Sequence, residues 1–159
     1  MKTILKILEQ DARTPADKLA TMSGKPVEQV AQLVKQAEQD GTIVKYKTVV
    51  NWEKLGEQPV MALIEVKVTP ERDHGFNAVA ERIYRFPEAR SVYLLSGDYD
   101  LAVLVTAKSM QEISDFVAQK LAPLEQVRST ITHFIMKRFK EDGDILVGTE
   151  QRKRLPMTP

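Results

Sequence analysis

Polar side chains able to read or hold another molecule gather early in this 159-residue chain. Lys25, Glu28, Gln29, Gln32, Lys35 and Gln36 follow one another at spacings that put them on the exposed side of a helix. A glutamine amide can pair bidentately with adenine, lysine suits phosphate or guanine, and glutamate can accept from cytosine. Glu28 can equally offset positive charge near the helix start, and each of these residues also fits a plain solvated face. Covalent chemistry finds little support. Cysteine is absent and there are two histidines, His74 and His133, in separate elements. Nothing resembles a nucleophile–base pair, a metal-ligand spacing or a phosphate-binding glycine loop.

The elements that must position those polar residues are legible from Thr14 to Gly41. Leu19 and Ala20 are followed by Gly24, Val30 and Leu33. Where two short helices cross steeply only a small residue such as Ala20 fits, and a glycine must turn the chain four residues later. Val30 and Leu33 then bury the inner side of the second helix. This is helix-turn-helix spacing, whose common use is to present the second helix to the DNA major groove. Thr14-Pro15-Ala16-Asp17 supplies an N-cap hydroxyl, a proline at the first helical position and a carboxylate three residues on. The second helix is predicted to begin near Pro26 or Val27, with Val27, Val30, Val34 and Ala37 as its buried stripe and Asp40-Gly41 as its end. Ile4, Leu5, Ile7 and Leu8 suit a supporting first helix. Thr42 to Asn51 is β-branched and alternating, which predicts a strand or short wing. Its Lys45 and Lys47 are either phosphate contacts or solvent-facing strand residues.

Composition bounds the rest. Hydrophobic residues make up 43% and charged residues 28%, as in an ordinary globular protein. No apolar run reaches the ~18 residues of a membrane span, and the N-terminus lacks a signal-peptide core, so a cytoplasmic protein without membrane contact is expected. The net charge of +1 argues against a strongly basic, non-specific nucleic-acid binder. Residues 1–50 carry only a slight basic surplus, which dimerisation would double.

Beyond a linker at 51–59, punctuated by Gly56 and Pro59, the elements alternate regularly. Val60 to Thr69 reads as a strand. Asp73 can cap a helix carrying Phe76, Val79, Ala80 and Ile83 on one side and ending at Phe86-Pro87. Val92 to Leu95 and Leu101 to Thr106 read as strands joined by a tight Gly97-Asp98 hairpin turn. Ser109-Met110-Gln111-Glu112 is a capping box opening a helix with Ile113, Phe116, Val117 and Leu121 inward. Val127 to Met136 is a last strand. The fold class is therefore α+β, a winged helix-turn-helix followed by a ferredoxin-like βαββαβ domain. The expected boundaries are 1–50, 51–59, 60–142 and a tail at 143–159. Met61 and Leu63 on one side, Ala62, Ile64 and Val66 on the other, leave the first strand apolar on both faces, and Leu101 to Val105 does likewise. Helices cover one face, so a second subunit's sheet is predicted on the other.

This order of elements resembles the Lrp/AsnC, or feast/famine, family of transcription regulators over residues 2–142. The helix-turn-helix spacing and Ser96-Gly97-Asp98-Tyr99-Asp100-Leu101 are the most specific pieces. The resemblance implies a regulator that binds double-stranded DNA, forms homodimers and often octamers through its second domain, and senses a small molecule, commonly an amino acid. It also places the effector at the loop, so Ser96, Gly97, Asp98, Tyr99 and Asp100 become the candidate effector residues. Their carboxylates could accept hydrogen bonds from an α-ammonium group, and Tyr99 could wall a side-chain pocket. No cofactor or metal is implied. Two features depart from the family pattern: the acidic lead-in before the first helix is missing, and the second helix is poor in arginine. Two alternatives accompany this reading. One is a ligand-sensing or oligomerisation protein with weak or lost DNA binding. The other is an enzyme like the haem-pathway decarboxylases, which share a two-part architecture.

Overall fold

The computed structural model describes residues 1–70 and 75–147, and the chain divides between Val49 and Val50 into two compact units. The first unit is built on three helices: α1 (Lys2–Gln10), α2 (Ala16–Ser23) and α3 (Val27–Gln39). Ile4, Leu8, Leu19, Ala20 and Val30 form its core, with Ile7, Leu33, Val34 and Ile43 packed against them. Ala20 is 6% exposed where α2 meets α3. Gly24 ends α2 in the left-handed conformation at φ +65°, and the Lys25 amide donates back to the Ala20 carbonyl at 3.1 Å.

Three local expectations are corrected in this unit. Thr14 does not cap α2: its hydroxyl donates to the Asp11 carbonyl at 2.8 Å, and Pro15 occupies the cap position. Val27 does not join the buried stripe; as the first residue of α3 it is 42% exposed, and the buried positions are Val30 and Ala37. Residues 44–50 form no strand or wing, since among the described residues no second strand pairs with them to complete a ladder. That segment is instead tied to α3 by the Tyr46 hydroxyl, which donates to Glu38 Oε1 at 2.8 Å.

The second unit opens with a 3-10 turn at Trp52–Leu55 that Gly56 closes at φ +76°. Then follow β1 (Val60–Val68), α4 (Asn77–Tyr84), β2 (Ala89–Leu94), β3 (Leu101–Ala107), α5 (Met110–Phe116), a π-helical turn (Val117–Leu121) and β4 (Val127–Phe134). The sheet order is β2-β3-β1-β4 with antiparallel pairs, the ferredoxin-like arrangement. Ser109 caps α5 as expected: its Oγ accepts from the Glu112 amide at 3.1 Å, and Glu112 Oε2 accepts from the Lys108 amide at 2.9 Å. The expected cap at Asp73 lies outside the described residues, as does His74. A short hairpin, β5 (Lys140–Glu141) and β6 (Asp144–Ile145), turns through Asp142 and Gly143, both at positive φ. It has no counterpart among the expected elements.

Ala62, Ile64, Val66, Leu101, Val103 and Val105 pack against Val79 and Ile83 of α4 and Ile113, Phe116 and Leu121 beyond it. Period-two alternation puts Leu63, Glu65, Ala102 and Leu104 on the opposite face. Register aligns Tyr93, Ala102, Glu65 and Ile131 in one row across that face, and Leu104, Leu63 and His133 in the next. Tyr93 and Ile131 are 56% and 44% exposed. His133 Nε2 lies 3.5 Å from Glu65 Oε2.

Candidate functional site

In the first unit the candidate residues gather on α3. Glu28, Gln29, Gln32, Lys35 and Gln36 are exposed, whereas Lys25, in the turn before the helix, is half-buried. Val30 and Ala37 anchor the inner side with no exposed surface, so the helix cannot rotate without breaking its core. Rotating by 100° per residue from Val30 puts Glu28, Gln32 and Lys35 on the outward side. The Pro26–Val27 start leaves the first amides of α3 without a side-chain cap, free to donate to an anion. Lys45 and Lys47 are exposed on the segment that Tyr46 ties to α3. Sequence spacing missed one feature: Val27 and Ala31, four residues apart, are exposed apolar side chains among these polar ones.

In the second unit Ser96, Gly97, Asp98, Tyr99 and Asp100 lie together between β2 and β3, as a longer connection than the expected two-residue turn. β2 ends at Leu94, one residue before the expected Leu95, β3 begins at Leu101 as expected, and the loop is bonded across to β1. Leu95 N–H donates to the Asp100 carbonyl at 2.8 Å, Asp100 N–H donates to the Val66 carbonyl at 3.2 Å, and Val68 N–H donates to Asp100 Oδ2 at 2.8 Å. Asp100 is thus half-buried and engaged with backbone, while Ser96, Gly97 and Asp98 are exposed. Gly97 at φ +150° adopts a backbone that side chains rarely take. The loop offers outward carboxylate and backbone groups on a fixed base.

A groove of about 430 Å³ opens at the other end of β1, lined by Glu53, Met61, Met110, Phe134, Met136 and Arg138 among others. No motif signals it, because its lining comes from four separate segments. Among the described residues, no cluster of three or more His, Asp or Glu side chains could hold a metal ion, and no helix is long and apolar enough to cross a membrane.

Comparison with known proteins identifies the chain. The family model described as the Lrp/AsnC ligand binding domain matches residues 61–145. The chain is 43% identical to the HTH-type transcriptional regulator YugG of Bacillus subtilis, itself uncharacterized, over 98% of this chain and 95% of that protein. The leucine response regulatory protein LrpA of Mycobacterium tuberculosis shares the fold, with a TM-score of 0.73 at 23% identity, covering 92% of this chain and 97% of that one. A Neisseria meningitidis transcriptional regulator solved as its L-Met complex superposes with a TM-score of 0.66 at 22% identity, covering 87% and 89% of the two chains. These relatives are regulators, which removes the enzyme reading. The chain belongs to the Lrp/AsnC family: it is a helix-turn-helix transcriptional regulator that binds DNA and carries a ligand-binding domain, not an enzyme.

Proposed function

We propose that the chain works as a homodimer or higher even oligomer whose second unit senses a small amino acid or related metabolite at Ser96–Asp100. Control of DNA binding by Lys25, Glu28, Gln29, Gln32, Lys35, Lys45 and Lys47 follows from that sensing. The observation that carries the assembly is the open sheet face, where Leu63 and Leu104 lie half-buried beside exposed Tyr93 and Ile131. A second copy of the same face would complete that layer. The sensing loop borders the face, since Asp100 bonds directly to β1. The L-Met complex of the Neisseria relative supports an amino acid as ligand. Asp98 and Asp100 would receive the ammonium group, with the Gly97 backbone and Tyr99 shaping the pocket.

A thermal-shift screen of the amino acids tests the sensing, because a ligand stabilises the form it binds by RT ln(1 + [L]/Kd). The hit is then added to gel shifts on DNA upstream of the protein's own gene. A ligand whose stabilisation is untouched by Asp98→Asn and Tyr99→Ala would move the pocket elsewhere.

A further inference from the structure

Val27 and Ala31 pose a problem that folding does not answer. Val27 opens α3 and is 42% exposed, and Ala31 is exposed one turn later. Residues four apart share a side of a helix, so the two form a short apolar strip. It runs beside the outward row of Glu28, Gln32 and Lys35, and apart from the core residues Val30 and Ala37. A β-branched residue gains no helix propensity there, and at 42% exposure Val27 is only partly covered within its own chain. Lysine, glutamate or glutamine, used at the neighbouring exposed positions, would serve solubility better.

We propose that Val27 and Ala31 read thymine, by packing against its 5-methyl group in the major groove. The first turns of a recognition helix are the part that approaches base edges. In that groove the methyl is the one apolar feature a base pair presents, and small apolar side chains are its natural partners. Polar neighbours alone cannot supply that contact: Gln29 and Gln32 suit adenine, Lys25 and Lys35 suit guanine or phosphate. The strip therefore adds the base that the polar set leaves unread, on the strand opposite the adenine that a glutamine would hold. The inference rests on the reading of α3 as the base-reading helix.

The test uses the full-length protein and the duplex it enriches most strongly from a random-core pool. Each thymine in that duplex is replaced singly by uracil, which removes only the methyl. Affinity should fall about fourfold at one thymine of each half-site, the effect expected for one buried methyl. Val27→Ser and Ala31→Ser leave the core untouched, and an unchanged melting temperature verifies this. Each should weaken binding to the thymine duplex and erase the thymine–uracil difference at that position, while differences elsewhere persist. Indifference of the unmodified protein to uracil at every position would overturn the proposal. So would serine variants that keep the full thymine–uracil ratio. A change in assembly state in place of lost discrimination would assign the strip to contact between copies instead. A pool from which no sequence is enriched would remove base reading by α3 altogether, and this strip with it.

Discussion

The Asp100 carboxylate accepts the Val68 amide at 2.8 Å while Asp98, two residues before, lies exposed, so of the two acids proposed for the ammonium group Asp100 also holds the loop to β1. Removing a charged acceptor from a half-buried amide is costly, and Asp100→Ala should lower stability by about 1–2 kcal/mol in urea unfolding. Asp100→Asn retains an acceptor oxygen and should cost well under half of that. Asp98→Asn should leave stability alone and weaken the effector instead, if the ammonium group docks there. Equal destabilisation by the alanine and asparagine variants of Asp100 would show that charge, not the hydrogen bond, fixes the loop. On α3, Gln29→Ala or Gln32→Ala should weaken specific binding by ~1–3 kcal/mol and barely change binding to random DNA. Lys35→Ala should lower affinity for every duplex and flatten its salt dependence. Fluorescence anisotropy across a salt series reads both quantities, and equal losses on specific and random DNA would take the glutamines out of base readout.

At the scale of elements, what could be read in the sequence was whatever is decided locally. The glycine after α2 and the capping box before α5 are short-range devices, and each acts where its spacing put it. Two segments misled for opposite reasons. Residues 44–50 have strand chemistry, but a strand exists only with a partner, and alternation cannot say whether one is within reach. Gly97-Asp98 has hairpin chemistry, yet long-range bonds from Asp100 to Val66 and Val68 hold the connection open. The bond that fixes the candidate loop therefore links residues 32 positions apart, beyond any local pattern. The same holds for Glu88, just ahead of β2, whose Oε1 accepts from Lys120 Nζ on the π-helical turn at 2.5 Å. That hydrogen bond holds the Glu88 carboxyl below its ordinary pKa, with burial opposing it. A carboxylate depressed in the folded state stabilises above its unfolded pKa of about 4.3, and the contribution disappears as pH falls through the lower folded value. Because Lys120 is substantially exposed, the pair should be worth no more than about 0.5–1 kcal/mol. Urea midpoints from pH 6 to pH 3 should fall more steeply for the unmodified protein than for Lys120→Met, and parallel curves would deny the pair a role.

For the whole molecule the question is what covers the open sheet face. Leu63 and Val103 sit one strand apart and looked alike in the sequence, as apolar residues in strands apolar on both sides. Alternation could say that they belong to strands, but not which faces the helices would take. The structure separates them: Val103 is fully buried against α4 and α5, while Leu63 is half-buried on the side no helix covers. One substitution made twice therefore has two outcomes. Val103→Glu places an unpaired carboxylate in the intramolecular core, a burial that costs several kcal/mol, and the second unit should fail to fold. Leu63→Glu leaves that core intact and should give a folded chain with normal circular dichroism. Its damage would fall on association, since the charge would lie between two sheets, beside the Glu65 carboxylate. Light scattering at micromolar concentration should report a dimer or larger for the unmodified protein and a monomer for Leu63→Glu. DNA binding should weaken in parallel, because each half-site would then be held by one recognition helix without the bivalent gain. If the unmodified protein scatters as a monomer, or Leu63→Glu keeps its assembly, the partner sheet is not what this face meets.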